Sequence, residues 1–240
     1  MKLQTAVNAV FPPDCVCCGA PVETEFGLCA NCWSDTPFIN GPSCDQCGTP
    51  LPGSDPEPGL RCDDCLTIAR PWDKGRAVFT YSGNGRKMVL RLKHGDQPAI
   101  ARAAGKWMAA KAGPLMTDNT VIVPIPLHWW RLFRRKVNQS ALLAQALANE
   151  TQAFFAPDAL KRIRKTASQD GKGREERFEN LRDSIHPHPK RGHILVGRDI
   201  LLVDDVMTSG ATFAAAAQAC HDAGAENVRV MALARVAKDA

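Results

Sequence analysis

Two groups of residues in this chain have the types and spacing to do chemistry. The first is Asp204-Asp205, followed after two apolar residues by Thr208-Ser209-Gly210-Ala211-Thr212. Adjacent carboxylates accept hydrogen bonds from vicinal hydroxyls such as those of a ribose, and the hydroxyls of Thr208, Ser209 and Thr212 donate to phosphate oxygens without adding bulk. Gly210 lets the backbone close on a ligand. No lysine follows that glycine, so the turn is not a nucleoside-triphosphatase loop. The second group is eight cysteines in four C-x-x-C pairs: Cys15/Cys18, Cys29/Cys32, Cys44/Cys47 and Cys62/Cys65. Each pair aims two thiolates at one ion, and two pairs close a tetrahedral zinc shell.

The elements that must position the first group follow from hydrophobic pattern. Ile200–Val203 is apolar without alternation, as a strand covered on both faces of a parallel sheet would be. The acids then fall at the strand's C-terminal edge, where open α/β sheets bind ligands. The alanine-rich run after Gly210 reads as a helix whose first-turn N–H groups and dipole face an anion. Further strands are expected over 76–81, 120–126, 160–163, 193–197 and 227–235, and helices over 86–93, 98–111 and the apolar run after Asn138. Four cations, Arg131, Arg134, Arg135 and Lys136, precede that last helix, and the polar, charge-dense stretch from Arg164 to Ile185 reads as mobile. His186-Pro187-His188-Pro189 reads as an extended linker rather than a metal site, because each proline restrains the residue before it.

An internal repeat argues how the cysteines pair. CVCCGAP and CDQCGTP carry Gly then Pro after the second cysteine, whereas CANCW and CDDCL do not. Each duplicated half is therefore expected to bind its own zinc, through Cys15, Cys18, Cys29 and Cys32, then through Cys44, Cys47, Cys62 and Cys65. The spacing also permits a cross-braced pairing of alternate knuckles. Cys17 and Cys220 belong to neither set, and tandem C-x-x-C knuckles suit a reducing compartment.

Charge separates the chain into unlike parts. Residues 1–70 hold 3 Lys and Arg against 9 Asp and Glu, and residues 71–240 hold 27 against 16. The basic part is expected to face a polyanion, either pyrophosphate or nucleic acid. No apolar run is long enough to span a membrane, and the start lacks a signal-peptide core, so a cytoplasmic chain without membrane insertion is expected. The expected organisation is a docking segment at 1–13, a double zinc ribbon at 14–68, a linker at 69–75 and an α/β domain at 76–240.

DDVMTSGAT resembles the phosphoribosyl pyrophosphate (PRPP) signature of type I phosphoribosyltransferases. With the cysteine array, with Tyr81, Gly85, Arg86, Leu92, Lys93 and His94, and with Arg131, Arg135, Asn138 and Gln139 in VPIPLHWWRLFRRKVNQ, the chain resembles the ComF/GntX-like proteins. Lys136 and Val137 stand where that family has Gly and an aromatic residue. Thr166, Gln169, Arg177 and Asn180 match its T-x-x-Q…R-x-x-N pattern, with Lys172 in place of an apolar residue, in the position of a hood that closes over PRPP.

The resemblance implies a type I phosphoribosyltransferase-like fold, a mostly parallel sheet flanked by helices. It implies Mg2+ carried with PRPP, with Asp204 and Asp205 on the ribose hydroxyls and Met207 to Thr212 around the 5-phosphate. Arg131 and Arg135 would then offset pyrophosphate charge. It also implies transfer of phosphoribose with pyrophosphate release and a link to DNA uptake. Single-stranded DNA, with Trp129-Trp130 as a contact, and a competence helicase are the candidate partners. The alternative it leaves is a non-catalytic PRPP sensor or single-strand-handling adaptor.

Overall fold

The computed structural model describes residues 12–54, 57–93, 98–127, 137–163 and 184–237. Two short helices, α1 (Ala30–Ser34) and α2 (Asp63–Thr67), each begin immediately after a cysteine, Cys29 and Cys62. The chain then runs β1 (Gly75–Thr80), α3 (Gly83–Lys93), α4 (Pro98–Ala112), β2 (Thr120–Pro124), α5 (Gln139–Thr151), β3 (Phe154–Phe155), β4 (Leu160–Arg162), β5 (Ile185–Pro187), β6 (Asp199–Met207), α6 (Ala211–Asp222) and β7 (Asn227–Arg235).

Five strands form one parallel sheet in the order β1-β7-β6-β2-β3. The unalternating run in β6 has the expected cause. Leu201 and Val203 enter a core with α3, α4 and α5, while Ile200 and Leu202 enter a second core with α6, and all four are at most 1% exposed. Chain direction reverses at β2/β6: β2 leads outward to β3 and β6 leads the other way to β7. Such a switch point leaves a crevice at the strands' C-terminal ends.

Several expectations are corrected. Strand β6 does not stop at Val203. It continues through both acids to Met207 because the nine-residue β7 keeps pairing with it, with Asp204 opposite Ala232 and Met207 opposite Arg235. On the other side the ladder ends at Pro124 opposite Val203, so the acids clear the sheet edge on the β2 side only. Residues 193–197 are not a strand: Gly192–Leu195 is a 3-10 turn, closed by Ile194 N–H to Arg191 and Val196 N–H to His193, and left-handed Gly197 ends it. The 160–163 strand pairs with β5 in a separate two-stranded antiparallel sheet, so the His186-Pro187 stretch is a paired strand rather than a free linker. The fifth strand of the main sheet is Phe154–Phe155, too short to show a period of its own.

The cysteine-rich segment is not a separate bead. Ile39 N–H donates to Val78 O (2.9 Å), Thr80 N–H to Pro37 O (3.0 Å) and Gly75 N–H to Asp45 O (2.8 Å), which covers the free edge of β1. Cys15, Val16, Cys17 and Cys32 join the core of α3 and α4, and Phe38 packs edge-on against Phe79 and Trp107. Cys44, Cys47, Cys65 and Trp72 join the core beneath α6.

Candidate functional site

The acids lie where β6 passes the end of β2, and two helix ends converge on them. Asn138 caps α5 by accepting from Ser140 N–H (3.1 Å), and its amide donates to Ile125 O (3.1 Å), which ties the helix start to the end of β2. That placement aims Ser140 Oγ at Asp204 Oδ1, 2.6 Å away. Asp205 N–H donates to the same oxygen at 2.9 Å. From the end of α3, Lys93 Nζ reaches Asp205 Oδ2 at 3.5 Å, and Gln139 Nε2 donates to Lys93 O at 3.4 Å. Lys93 is thus drawn into the crevice by an opposite charge.

Electrostatics differ between the two acids. Burial, and then the Asp205 charge beside it, push Asp204 up to about 7, against the pull of Ser140 and Lys93. Asp204 is therefore partly protonated near neutral pH, and hydroxyl donors or a cation arriving in the crevice would favour its ionisation.

Beyond the acids the chain makes a tight turn into α6. Gly210 is the N-cap of α6 with φ +83°, a left-handed conformation that a side chain would strain. Thr208 is exposed, Thr212 half-buried, and Met207, Ser209, Gly210 and Ala211 are buried. Among the described residues no acceptor takes the amides of Thr208, Ser209 or Gly210. Free amides at a helix start are what a phosphate binds.

The two cysteine groups assemble as the repeat argues, Cys15, Cys18, Cys29 and Cys32 in one and Cys44, Cys47, Cys62 and Cys65 in the other, so the pairing is not cross-braced. Within each group all sulfurs lie within 4.8 Å of one another, with Cys18 to Cys29 at 3.7 Å and Cys47 to Cys62 at 3.6 Å. A tetrahedron with Zn–S bonds of about 2.3 Å has edges of about 3.8 Å, so the donor set fits structural zinc. In the second group hydrogen bonds from Cys47 and Cys65 hold Cys44 far below the usual thiol range, and the same contact holds Cys65 far above it. Four thiols this close ionise together only around a cation.

Residues 6–66 match the double zinc ribbon domain family and residues 137–240 the phosphoribosyl transferase domain family. The DNA utilization protein YhgH of Shigella flexneri is 30% identical over 232 residues, covering 93% of this chain and 97% of that protein. The chain belongs to the ComF/GntX-like family. Competence protein F of Haemophilus influenzae is 28% identical over 87% of this chain and 90% of its own length. Competence protein ComFC of Streptococcus pneumoniae is 24% identical over 92% and 99%.

With that family established, the site residues sort as follows. The structure brings together Asp204, Asp205, the 207–212 turn, Lys93, Asn138 and Gln139. Arg131, Arg134, Arg135 and Lys136, Trp129-Trp130, His94, the 164–183 segment and residues 1–11 lie outside the described residues. Ser140 was not singled out by sequence; a small hydroxyl two residues after an N-capping asparagine was the available signal. Arg70 and Arg235, which hold the back of the turn, left no local signal. No helix among the described residues is long and apolar enough to cross a membrane.

Proposed function

We propose that the chain binds PRPP with Mg2+ in the β2/β6 crevice and transfers its phosphoribosyl group to a nucleophile with release of pyrophosphate. The observation that carries this reading is the juxtaposition of Asp204 and Asp205 with three free amides at the start of α6, inside the segment that matches the phosphoribosyl transferase domain. Paired carboxylates suit a diol and the cradle suits a phosphate monoester, and a ribose 5-phosphate offers both in one molecule.

In this reading Asp204 and Asp205 accept the ribose 2- and 3-hydroxyls and so fix the ring, and their negative charge lies beside the ring carbons that become cation-like as pyrophosphate departs. Mg2+ arriving with PRPP would supply neutralisation of the leaving group. Lys93 gives up part of its pairing with Asp205 to that anion, and Arg131 and Arg135 are assigned the same role from the family pattern alone. Bond balance is simple: the C1–O bond to pyrophosphate breaks as the bond from C1 to the acceptor forms, and the acceptor's proton leaves to solvent or a base.

Relatives named for DNA utilization and for competence support a role in DNA uptake or use; in the reading proposed here that role is cytoplasmic, with single-stranded DNA or a helicase as partner. The test is a pyrophosphate-release screen over purine, pyrimidine and nicotinate acceptors and a metabolite extract. Release that requires PRPP, Mg2+ and an acceptor supports transfer. Binding of PRPP without release from any acceptor, joined to salt-dependent binding of single-stranded DNA, replaces it with the sensor or adaptor reading.

A further inference from the structure

The back of the phosphate cradle is held by two buried guanidinium groups, and both lead to the second cysteine group. Arg235, the last residue of β7, is 4% exposed. Its Nη1 donates to Met207 O (3.1 Å), Thr208 O (2.6 Å) and Val236 O (2.6 Å), and its Nη2 points at Cys47 Sγ, 3.7 Å away. Arg70 Nη1 donates to Ser209 O at 2.8 Å, and its guanidinium stacks 5.4 Å from the centre of Trp72. Trp72 in turn is locked to the knuckle between Cys44 and Cys47: its indole donates to Gln46 O (2.6 Å) and Gln46 Nε2 donates to Trp72 O (3.4 Å).

Three successive carbonyls, those of Met207, Thr208 and Ser209, are thus turned toward guanidinium groups. In a trans peptide the N–H points opposite to the C=O, so the amides of Thr208, Ser209 and Gly210 are turned the other way, out of the protein toward the ligand side. A side chain at Gly210 would crowd this wall, since a Cβ would lie 3.0 Å from the Trp72 ring and 3.2 Å from Arg70 Nη1 and both would have to give way slightly. Charge completes the argument. A buried cation needs a counter-charge, and no described carboxylate forms an ion pair with Arg235. The side chain it meets instead is Cys47 Sγ, a member of the Cys44 tetrad whose four sulfurs fit a metal ion. Among the described residues the first cysteine group shows no such route to the turn: it reaches α3, where Arg91 Nη1 donates to Cys17 O.

We propose that Arg235 and Arg70 are positioning residues through which the metal-loaded state of the second ribbon, and not the first, sets the geometry of the phosphate-binding turn. When the Cys44 tetrad is emptied, the knuckle that fixes Trp72 through Gln46 and meets Arg235 through Cys47 Sγ loses the tie that holds it in place, and the grip of Arg235 and Arg70 on the Met207, Thr208 and Ser209 carbonyls loosens with it. The proposal rests on the phosphoribosyl reading for what the turn binds, but not for the coupling itself.

The test uses the full chain, zinc-loaded, and compares wild type, Arg235→Lys, Cys62→Ser in the second ribbon and Cys29→Ser in the first. Backbone amide resonances of Thr208, Ser209 and Gly210 report the turn without any ligand, and titration with Mg-PRPP reports affinity. Lysine keeps the charge but cannot bridge carbonyls and thiolate together. Arg235→Lys and Cys62→Ser should shift all three resonances and weaken PRPP binding about tenfold or more, while Cys29→Ser leaves both close to wild type. Turn resonances unmoved in Cys62→Ser, or moved equally by Cys29→Ser, overturn the proposal. Should Cys62→Ser not fold, Arg235→Lys retaining both zinc ions decides it, and unmoved resonances there overturn it. Absence of PRPP binding by wild type defeats the functional reading instead, and the resonances still judge the coupling.

Discussion

Deleting residues 1–68 removes far more than a metal-binding appendage. The shortened chain loses three main-chain hydrogen bonds along β1, from Ile39, to Pro37 and to Asp45, each worth about 1 kcal/mol net. It uncovers part of Phe79, fully buried in the whole chain against Phe38, at roughly 2 kcal/mol for the exposed ring. It also strips the partners of the buried Trp72 indole and of Arg235 Nη2, and a buried donor without an acceptor costs about 1–3 kcal/mol. These sum to roughly 7–11 kcal/mol, against a total stability of about 5–15 kcal/mol for an ordinary domain. The expected outcome in urea titration followed by circular dichroism is a chain starting at residue 69 with its midpoint near zero denaturant or no cooperative transition. If that chain unfolds cooperatively at the full-length midpoint, the ribbons are only tethered and the β1 edge contacts contribute nothing.

Three further outcomes follow from particular residues. Elemental analysis should find two zinc ions per chain and one in Cys62→Ser; loss of both from that single change would mean the two tetrads share ligands. Asp204, raised to about 7, makes its stabilising contribution to the ligand-free fold when protonated, fully present below about pH 4 and lost as pH rises through 7. PRPP affinity runs the other way, since an ionised Asp204 is the better hydroxyl acceptor. It should rise between about pH 6 and 8 in wild type more steeply than in Asp204→Asn, and equal slopes would assign the dependence to the ligand's own phosphates. Gly210→Ala places a side chain at φ +83° against Trp72 and should lower stability by about 1–2 kcal/mol and weaken PRPP binding, read by thermal unfolding and titration; an unaffected variant would mean the turn is loose.

What the sequence revealed was what is local in sequence. The zinc ligands and the DDVMTSGAT turn are short continuous patterns, and the hydrophobic run of β6 announces its own double burial. Lys93 and Asn138 were visible only through the family pattern, and Ser140 not at all, because each acts across the sheet edge on residues far along the chain. Arg70 to Ser209 and Arg235 to Cys47 are the extreme cases: neither arginine sits in a pattern, and both roles exist only once ribbon, β7 and turn are packed together. Phe154–Phe155 is too brief for a period, and the 193–197 misreading came from apolar Ile194, Leu195 and Val196, of which Leu195 is buried and Val196 is 59% exposed. The strand boundary at Val203 was misplaced because sequence shows where apolar burial ends but not how far a neighbouring strand keeps pairing.

The most direct test of the central claim is calorimetric titration of the full, zinc-loaded chain with PRPP in the presence and absence of Mg2+, with Asp204→Asn/Asp205→Asn alongside. Both substitutions preserve size at a partly exposed strand end, so the variant should match wild type in circular dichroism and zinc content. The account predicts a saturable one-site heat for wild type that depends on Mg2+, and its disappearance in the double variant. No heat from wild type, or equal affinity in the double variant, would contradict the assignment of this crevice to a phosphoribosyl ligand.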